Sequence, residues 1–543
     1  LGLLTYPFLF EPRLDVNQQT TFWSAAFIGY VLLAFAAGVV FVRGNNRLHR
    51  ERAQPEYAPR PPLVDVILWI TFSACGSMLL LSLTSQMCQD VAVVPFLWVL
   101  PLSLYLLTFV ISFDHERWYL RSVAIPLAVI AIGLAIWLMN LQYASSEWPL
   151  YRQIAIYCGA IFFGCLVCHG EVARMKPPVR YLTGFYLCIS LGGALGGVFV
   201  SLAAPRLFNG YWELHLAFDL LALLVSFQLW RYFRYSKRPV LVLGCAVLWI
   251  ALLSIMVHFL GRHIEESREQ SIAMRRGFYG VLKVEEINSD SPSAFRSLHH
   301  GRISHGRQYR AESERRLATT YYSLNSGVGA VFECLPARTV VPAQPVHIGV
   351  VGLGVGTITS YAEKGDRFRV YEINPQVEEF ARSHFTYLAD CRGEEQVIPG
   401  DARISLEREL AQGHPQQFDA LFVDAFSGDS IPIHLLTHEA FDLYFKHLKP
   451  GGVLAIHVTN LHLDLSDPVR NLAAAFDRQV FRVDHAPDAT ENYAYYSDWL
   501  LVTRYPAFIE ALEHSGRLTR WDRPDPRPIH WTDAYCNLFE VAF

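Results

Sequence analysis

The chain has 543 residues, 52% of them hydrophobic and 18% charged, with a formal net charge of −4 and a mean hydropathy of +0.22. It is too apolar to be one water-soluble globule of this length, and a nearly balanced charge offers no footprint for nucleic acid. The apolar excess lies before residue 261, so the two halves answer to different solvents.

The opening residues, LGLLTYPFLFEP from Leu1, read as the tail of another spanning segment, and further helices upstream are expected. No signal peptide is recognisable, because nothing basic precedes the first apolar run. Eight apolar stretches follow, at approximately 22–42, 63–83, 92–113, 122–142, 151–171, 182–204, 213–230 and 239–260, each near the roughly 20 residues that cross a bilayer. As helices of a soluble protein they would leave no polar faces for water. An integral multi-pass membrane protein is expected, with the lipid bilayer as its first partner and a bacterial inner membrane as its place.

Loop charges suggest an orientation. Arg43, Arg47, Arg50, Arg52 and Arg60 follow the first span, Arg117 and Arg121 the third, Arg174, Lys176 and Arg180 the fifth, and Arg231, Arg234, Lys237 and Arg238 the seventh. The alternate loops 84–91, 143–150 and 205–212 hold only Arg206. Positive charge marks the cytoplasmic side, so eight spans leave everything after residue 261 outside. That placement sits awkwardly with any cofactor made in the cytosol. Ten cysteines form no disulfide framework. Cys165, Cys168 and His169 spell the CxxCH of haem attachment, but at the wrong end of a span, and neither haem nor a metal is expected. Glu171, Glu213 and Asp219 at span edges read as interfacial or bundle-facing.

Residues 261–340 contain the strand-like pieces FYGVLKVEEI, FRSLHHGRISHGRQY and ATTYYSLNSGVGAVF, punctuated by glycines, which predicts a small antiparallel β domain. From 341 to 505, strand and helix patterns alternate: strands at 346–351 and 368–373, near 396–399, and at 418–424, 451–458 and 500–503, with helices from 357, at 375–385 and at 436–448. This predicts a doubly wound, Rossmann-like parallel sheet with its ligand at the carboxyl ends of the strands. Residues 506–543 form a tail, of which the Pro-rich 522–529 reads as an extended surface segment.

The chemistry concentrates in VHIGVVGLGVGTITSYAEKGDRFRVYE, residues 346–372. A buried strand runs into Gly352, Gly354 and Gly356, and a second strand ends on Glu372, 20 positions after Gly352. Glycines let the backbone turn off the strand and approach a nucleotide, and an acid at that spacing suits ribose hydroxyls. The next two strands end on Asp401 and Asp424, with Asp429 five residues beyond. Asp401 suits an adenine amine and Asp424 faces the reacting group, where it could hold an ammonium or take its proton. Both could instead be helix N-caps or turn formers.

The order GLGVG, YEIN, GDAR, FVDAFSGD, LKPGGVLAIHV resembles the polyamine aminopropyltransferases, the spermidine synthase family. HHGRISHG and the TTYY of Thr319–Tyr322 look like that family's β-domain substrate loops. The upstream phrases DVAVVPFLWVLPLSLYLLTF, VCHGEVAR and YLTGFYLCISLGGALGGVF, with WTDAYCNLF in the tail, are similar to its membrane-embedded branch, the fused transporter/spermidine synthase proteins. The resemblance implies that Gly352, Gly354, Gly356, Glu372, Asp401 and Ala402 hold decarboxylated adenosylmethionine or an adenosylmethionine-like nucleoside. It implies that Asp424, with Asp429 and Tyr322, binds and deprotonates a small amine acceptor.

Several positions depart from the family pattern. Val355 stands where the family carries the acid thought to hold the aminopropyl amine, Ser427 stands for a second acid, and His300-Gly301 replaces the usual Asp-Gly. The nucleoside end is retained and the amine end is eroded. Three readings remain open: a membrane-anchored transferase, a catalytically idle subunit that docks other proteins of a membrane complex, and a polyamine-type transporter with a sensor domain.

Overall fold

The computed structural model describes residues 2–48, 59–90, 96–141, 148–234, 239–301, 303–425, 432–460 and 463–541. They fall into two compact units, Leu1–Leu207 with Tyr211–His263, and Phe208–Gly210 with Ile264–Phe543.

Among the described residues, eight helices, all within or beginning in the first unit, are long and apolar enough to cross a membrane. Leu63–Asp90 is central, packing against Leu150–Arg174, Leu182–Val198 and Glu213–Phe233. Its Phe72, Cys75, Leu79 and Leu83 are fully buried. Close approach to Leu182–Val198 depends on missing side chains: a Cβ on Gly192 would stand 2.3 Å from the Ile70 carbonyl oxygen, and one on Gly196 2.3 Å from that of Ala74. Small residues at every fourth position are how helices meet backbone to backbone in an apolar solvent. Val16–Leu48, by contrast, leaves Phe27, Leu33 and Phe35 exposed.

Two polar clusters of this unit are buried among partners. Glu171, 1% exposed, accepts from the Arg121 guanidinium with both oxygens and from the Tyr119 hydroxyl, a charge held by its partners rather than by an interface. Cys165, Cys168 and His169 are buried inside the bundle, and His169 Nδ1 lies 3.0 Å from Thr108 Oγ1.

The second unit begins with an antiparallel sheet of four strands in sequential order: β1 (Ser271–Gly277), β2 (Gly280–Ile287), β3 (Phe295–His300) and β4 (Ile303–Tyr309). The third strand-like piece is not a strand. Ala318–Asn325 runs through tight turns, and Ser326 caps a helix, Gly327–Cys334, by accepting from Val328 N–H. The cap and the small residues behind it outweigh the β-branched residues that suggested extended chain.

A second sheet of seven strands follows: β5 (His347–Val351), β6 (Arg367–Glu372), β7 (Glu394–Pro399), β8 (Phe418–Val423), β9 (Leu448–His457), β10 (Gln479–His485) and β11 (Ser497–Thr503). Its order is β10-β11-β9-β8-β5-β6-β7. The chain winds outward from β5 to β7, then returns to β8 on the other side of β5, which places a topological switch between β5 and β8. Strands β5 to β9 are parallel, whereas β11 runs antiparallel to both β9 and β10, so the sheet is mixed. Ile348, Val350, Ala420 and Phe422 are fully buried, as expected of strands covered on both faces.

One further element differs from the sequence reading: the segment after Gly356 forms only a 3-10 turn, Thr357–Tyr361. The Pro-rich stretch stays exposed or half-buried up to residue 528, whereas Ile529, Trp531 and Val541 are buried in the core of the second unit.

Candidate functional site

Gly352 follows β5 with φ +99°, and Gly354 has φ +54°. A Cβ on Gly352 would lie 2.3 Å from the Asp424 carbonyl oxygen, and one on Gly354 would lie 2.6 Å from that of His305. The turn therefore requires glycine for its conformation and for the backbone on either side of it. Between the two glycines, Leu353 N–H donates to Glu372 Oε2 at 2.9 Å, while Asn374 N–H donates to Oε1 at 2.8 Å. Glu372 thus ties the end of β6 to the turn after β5. Burial pushes its carboxyl above the ordinary range, and these backbone donors oppose the rise.

At the end of β7, Asp401 caps the helix Ala402–Ala411, with Oδ1 accepting from Ile404 N–H at 2.9 Å. The other oxygen lies 3.1 Å from His434 Nε2. The capping role is real and leaves Asp401 on the cleft wall.

At the end of β8, Asp424 is held more tightly. Its Oδ2 accepts from the Tyr322 hydroxyl, and its Oδ1 lies 2.7 Å from His457 Nδ1. The His457 ring is clamped between Tyr321, at 4.6 Å between centroids, and Trp499, at 4.7 Å. Burial and the neighbouring Asp424 carboxylate push both tyrosine hydroxyls far above their ordinary range, so they remain protonated donors.

Gly352, Gly354, Glu372, Asp401, Ala402 and Asp424 line one cleft, together with Tyr279, His300, His305 and His434. Tyr322 reaches the site through Asp424. Gly356, φ +85°, is not among the residues lining this cleft, and a Cβ on it would meet Leu388 and Tyr387. Asp429 lies outside the described residues. His457 was not read as a site residue from sequence, and Tyr321 and the imidazoles of β3 and β4 entered only as parts of TTYY and HHGRISHG. The quoted HHGRISHG was the available signal for the imidazoles; for His457, which meets Asp424 across 33 residues, there was none. Among the described residues no group of three His, Cys, Asp or Glu could hold a metal ion.

No family model matches the chain. Over 116 residues it is 33% identical to the polyamine aminopropyltransferase of Vibrio vulnificus, covering 20% of this chain and 37% of that protein. Over 109 residues it is 32% identical to the N-terminal histidine N-methyltransferase of Emericella nidulans, covering 20% of this chain and 19% of that protein. The chain thus spans well under half the length of either relative. Among solved structures, spermidine synthase from Thermotoga maritima aligns over 47% of this chain and 81% of its own, at 12% identity and a TM-score of 0.31. A probable spermidine synthase from Corynebacterium glutamicum aligns over 42% and 79%, at 18% identity and the same TM-score. Likeness at that score is too low to argue from.

Proposed function

We propose that this protein is a membrane-anchored transferase whose second unit binds an adenosylmethionine-type donor and passes one of its carbon groups to an amine. One observation carries the reading: groups from four strand ends, Gly352, Glu372, Asp401 and Asp424, face a single cleft at the topological switch. The cradle fits an adenosine-like molecule, because the turn has no room for a side chain yet leaves Gly352 and Gly354 on the cleft wall. Matches to two transferases, one acting on polyamines and one on an amino terminus by name, support the same class.

Each residue has a definite task in this reading. Glu372, whose Oε2 accepts from Leu353 N–H and Oε1 from Asn374 N–H, offers a lone pair beyond its backbone donors to a ribose hydroxyl. Asp401 offers an acceptor to the base. Asp424 presents its free lone pairs to an ammonium or amine, while Tyr322 and His457 fix its plane. A bound sulfonium donor supplies an activated carbon, and the protein contributes chiefly position. Eight spans would anchor the unit in a bilayer.

Calorimetry on the full-length, detergent-solubilised protein with adenosylmethionine, its decarboxylated form and methylthioadenosine tests the reading. Binding of at least one is expected; silence towards all three sinks it. Protease accessibility of the region around residue 400 in sealed vesicles then decides whether a cytosolic donor reaches the cleft.

A further inference from the structure

The identity of the donor can be argued further, granted that the cleft binds a nucleoside at all. Val355, at the position where the resemblance implies an acid for the donor's amine, is 1% exposed. It is packed beneath β4: a Cβ on Gly306 would stand 2.5 Å from Val355 Cγ2. That position offers neither charge nor access. The cleft wall beside Gly354 instead carries two imidazoles, His300 and His305, whose ring centroids are 5.8 Å apart. The His305 main chain lies directly against the glycine turn.

The possible tails differ in what they ask of such a wall. A decarboxylated tail ends in one ammonium and needs an acid. An amino-acid tail adds a carboxylate that needs N–H donors, which the two imidazoles can supply while Asp424 is kept for the acceptor amine. We propose that the donor held here keeps its carboxylate, making the cleft a site for adenosylmethionine-type amino-acid nucleosides rather than the decarboxylated nucleoside. The two imidazoles form the subsite that reads the difference.

Protonation gives an independent readout. Burial lowers both histidines, His305 to about 3, with His300 and His299 adding to the effect on His305. Both are therefore neutral at pH 7 in the free protein. A carboxylate brought beside them favours the imidazolium, first at His300, the less depressed of the two, so tail binding should take up part of a proton. Other titratable groups share the surroundings: His299, Glu285 and Lys283 on the small sheet, and Glu372, Asp401, Asp424 and His434 across the cleft. Histidine variants, rather than a bare pH curve, must assign the uptake.

The experiment compares adenosylhomocysteine, methylthioadenosine and decarboxylated adenosylmethionine by calorimetry on the full-length protein, at pH 7 in two buffers of different ionisation heat. Adenosylhomocysteine should bind about tenfold or more tighter than methylthioadenosine, the gain expected of one or two charge-assisted contacts, with proton uptake that methylthioadenosine lacks. The His300→Gln/His305→Gln variant should collapse that ratio and abolish the uptake. Equal affinities, or a preference for the decarboxylated nucleoside, overturn the proposal while leaving a nucleoside site standing. If none of the three binds, the nucleoside reading falls, and this inference falls with it. The wild-type ligand series decides the matter even if the double variant does not fold.

Discussion

Replacing Glu372 with glutamine separates two jobs done by one carboxylate. Its two oxygens accept from Leu353 and Asn374 N–H at 2.9 and 2.8 Å. Glutamine keeps the shape but has one acceptor oxygen, so one of those amides must face an NH2 group. Leaving a buried donor unmatched costs about 1–3 kcal/mol. The burial that raises the carboxyl works the other way. A carboxyl whose folded pKa lies above its unfolded value stabilises the fold fully only below the unfolded value, and loses that contribution as pH rises through the folded one. At neutral pH the charge is therefore a liability that glutamine removes. Opposed effects predict a small change in Tm at pH 7 and a larger loss for the variant at pH 4, where the wild type regains its protonated form. Ligand binding has no such offset. Losing a charged acceptor to the ribose should cost about 1.5–3 kcal/mol, or about 10- to 150-fold in affinity. Scanning calorimetry and titration with adenosylhomocysteine or methylthioadenosine read the two effects separately. An affinity within about twofold of wild type would mean that Glu372 serves only the backbone, and the ribose assignment would be refuted.

Other outcomes follow from the same geometry. Tyr322→Phe takes one donor from a buried carboxylate and should cost about 1.5–3 kcal/mol in chemical unfolding, while nucleoside affinity is retained; a large loss of affinity instead would place Tyr322 in contact with the ligand. Gly352→Ala sets a Cβ 2.3 Å from the Asp424 carbonyl oxygen at φ +99°, and overpacking of that kind costs about 1–3 kcal/mol, measurable as a lower Tm together with lost binding. Arg121→Ala leaves Glu171 as an uncompensated buried charge worth about 3–5 kcal/mol. Its Tm in detergent should fall, and Glu171→Gln in the same background should restore part of the loss.

Much of the second unit was legible because its strands are short apolar runs closed by glycine or an acid. HIGVV, FRVYE and FDALFV carry their burial in their composition, and the strand-end acids are visible as the residues that break each run. Contacts between distant segments were not legible. Nothing local to LAIHV says that His457 turns its Nδ1 towards Asp424, and nothing in TTYY says that Tyr322 does the same from the other side. Burial of Trp531, beyond the Pro-rich stretch, depends on core residues from other elements, so it has no local signal. The opposite failure occurred after Gly356, where TITSYAEKG has helix-compatible residues but only five before Ala362 departs into extended backbone. Local preference sets what a segment tolerates, and packing against Leu388 and Tyr387 decides what it adopts.

The seam between Leu63–Asp90 and Leu182–Val198 also bears on how the first unit can be built. Gly192 and Gly196 meet bare carbonyls rather than interlocking side chains, so recognition is written into two short stretches of main chain. Such a contact does not require the covalent connection running from one helix to the other. A polypeptide severed in the stretch 175–181, with its halves produced together, should reassemble, and bulky residues at the two glycines should prevent the halves from finding each other.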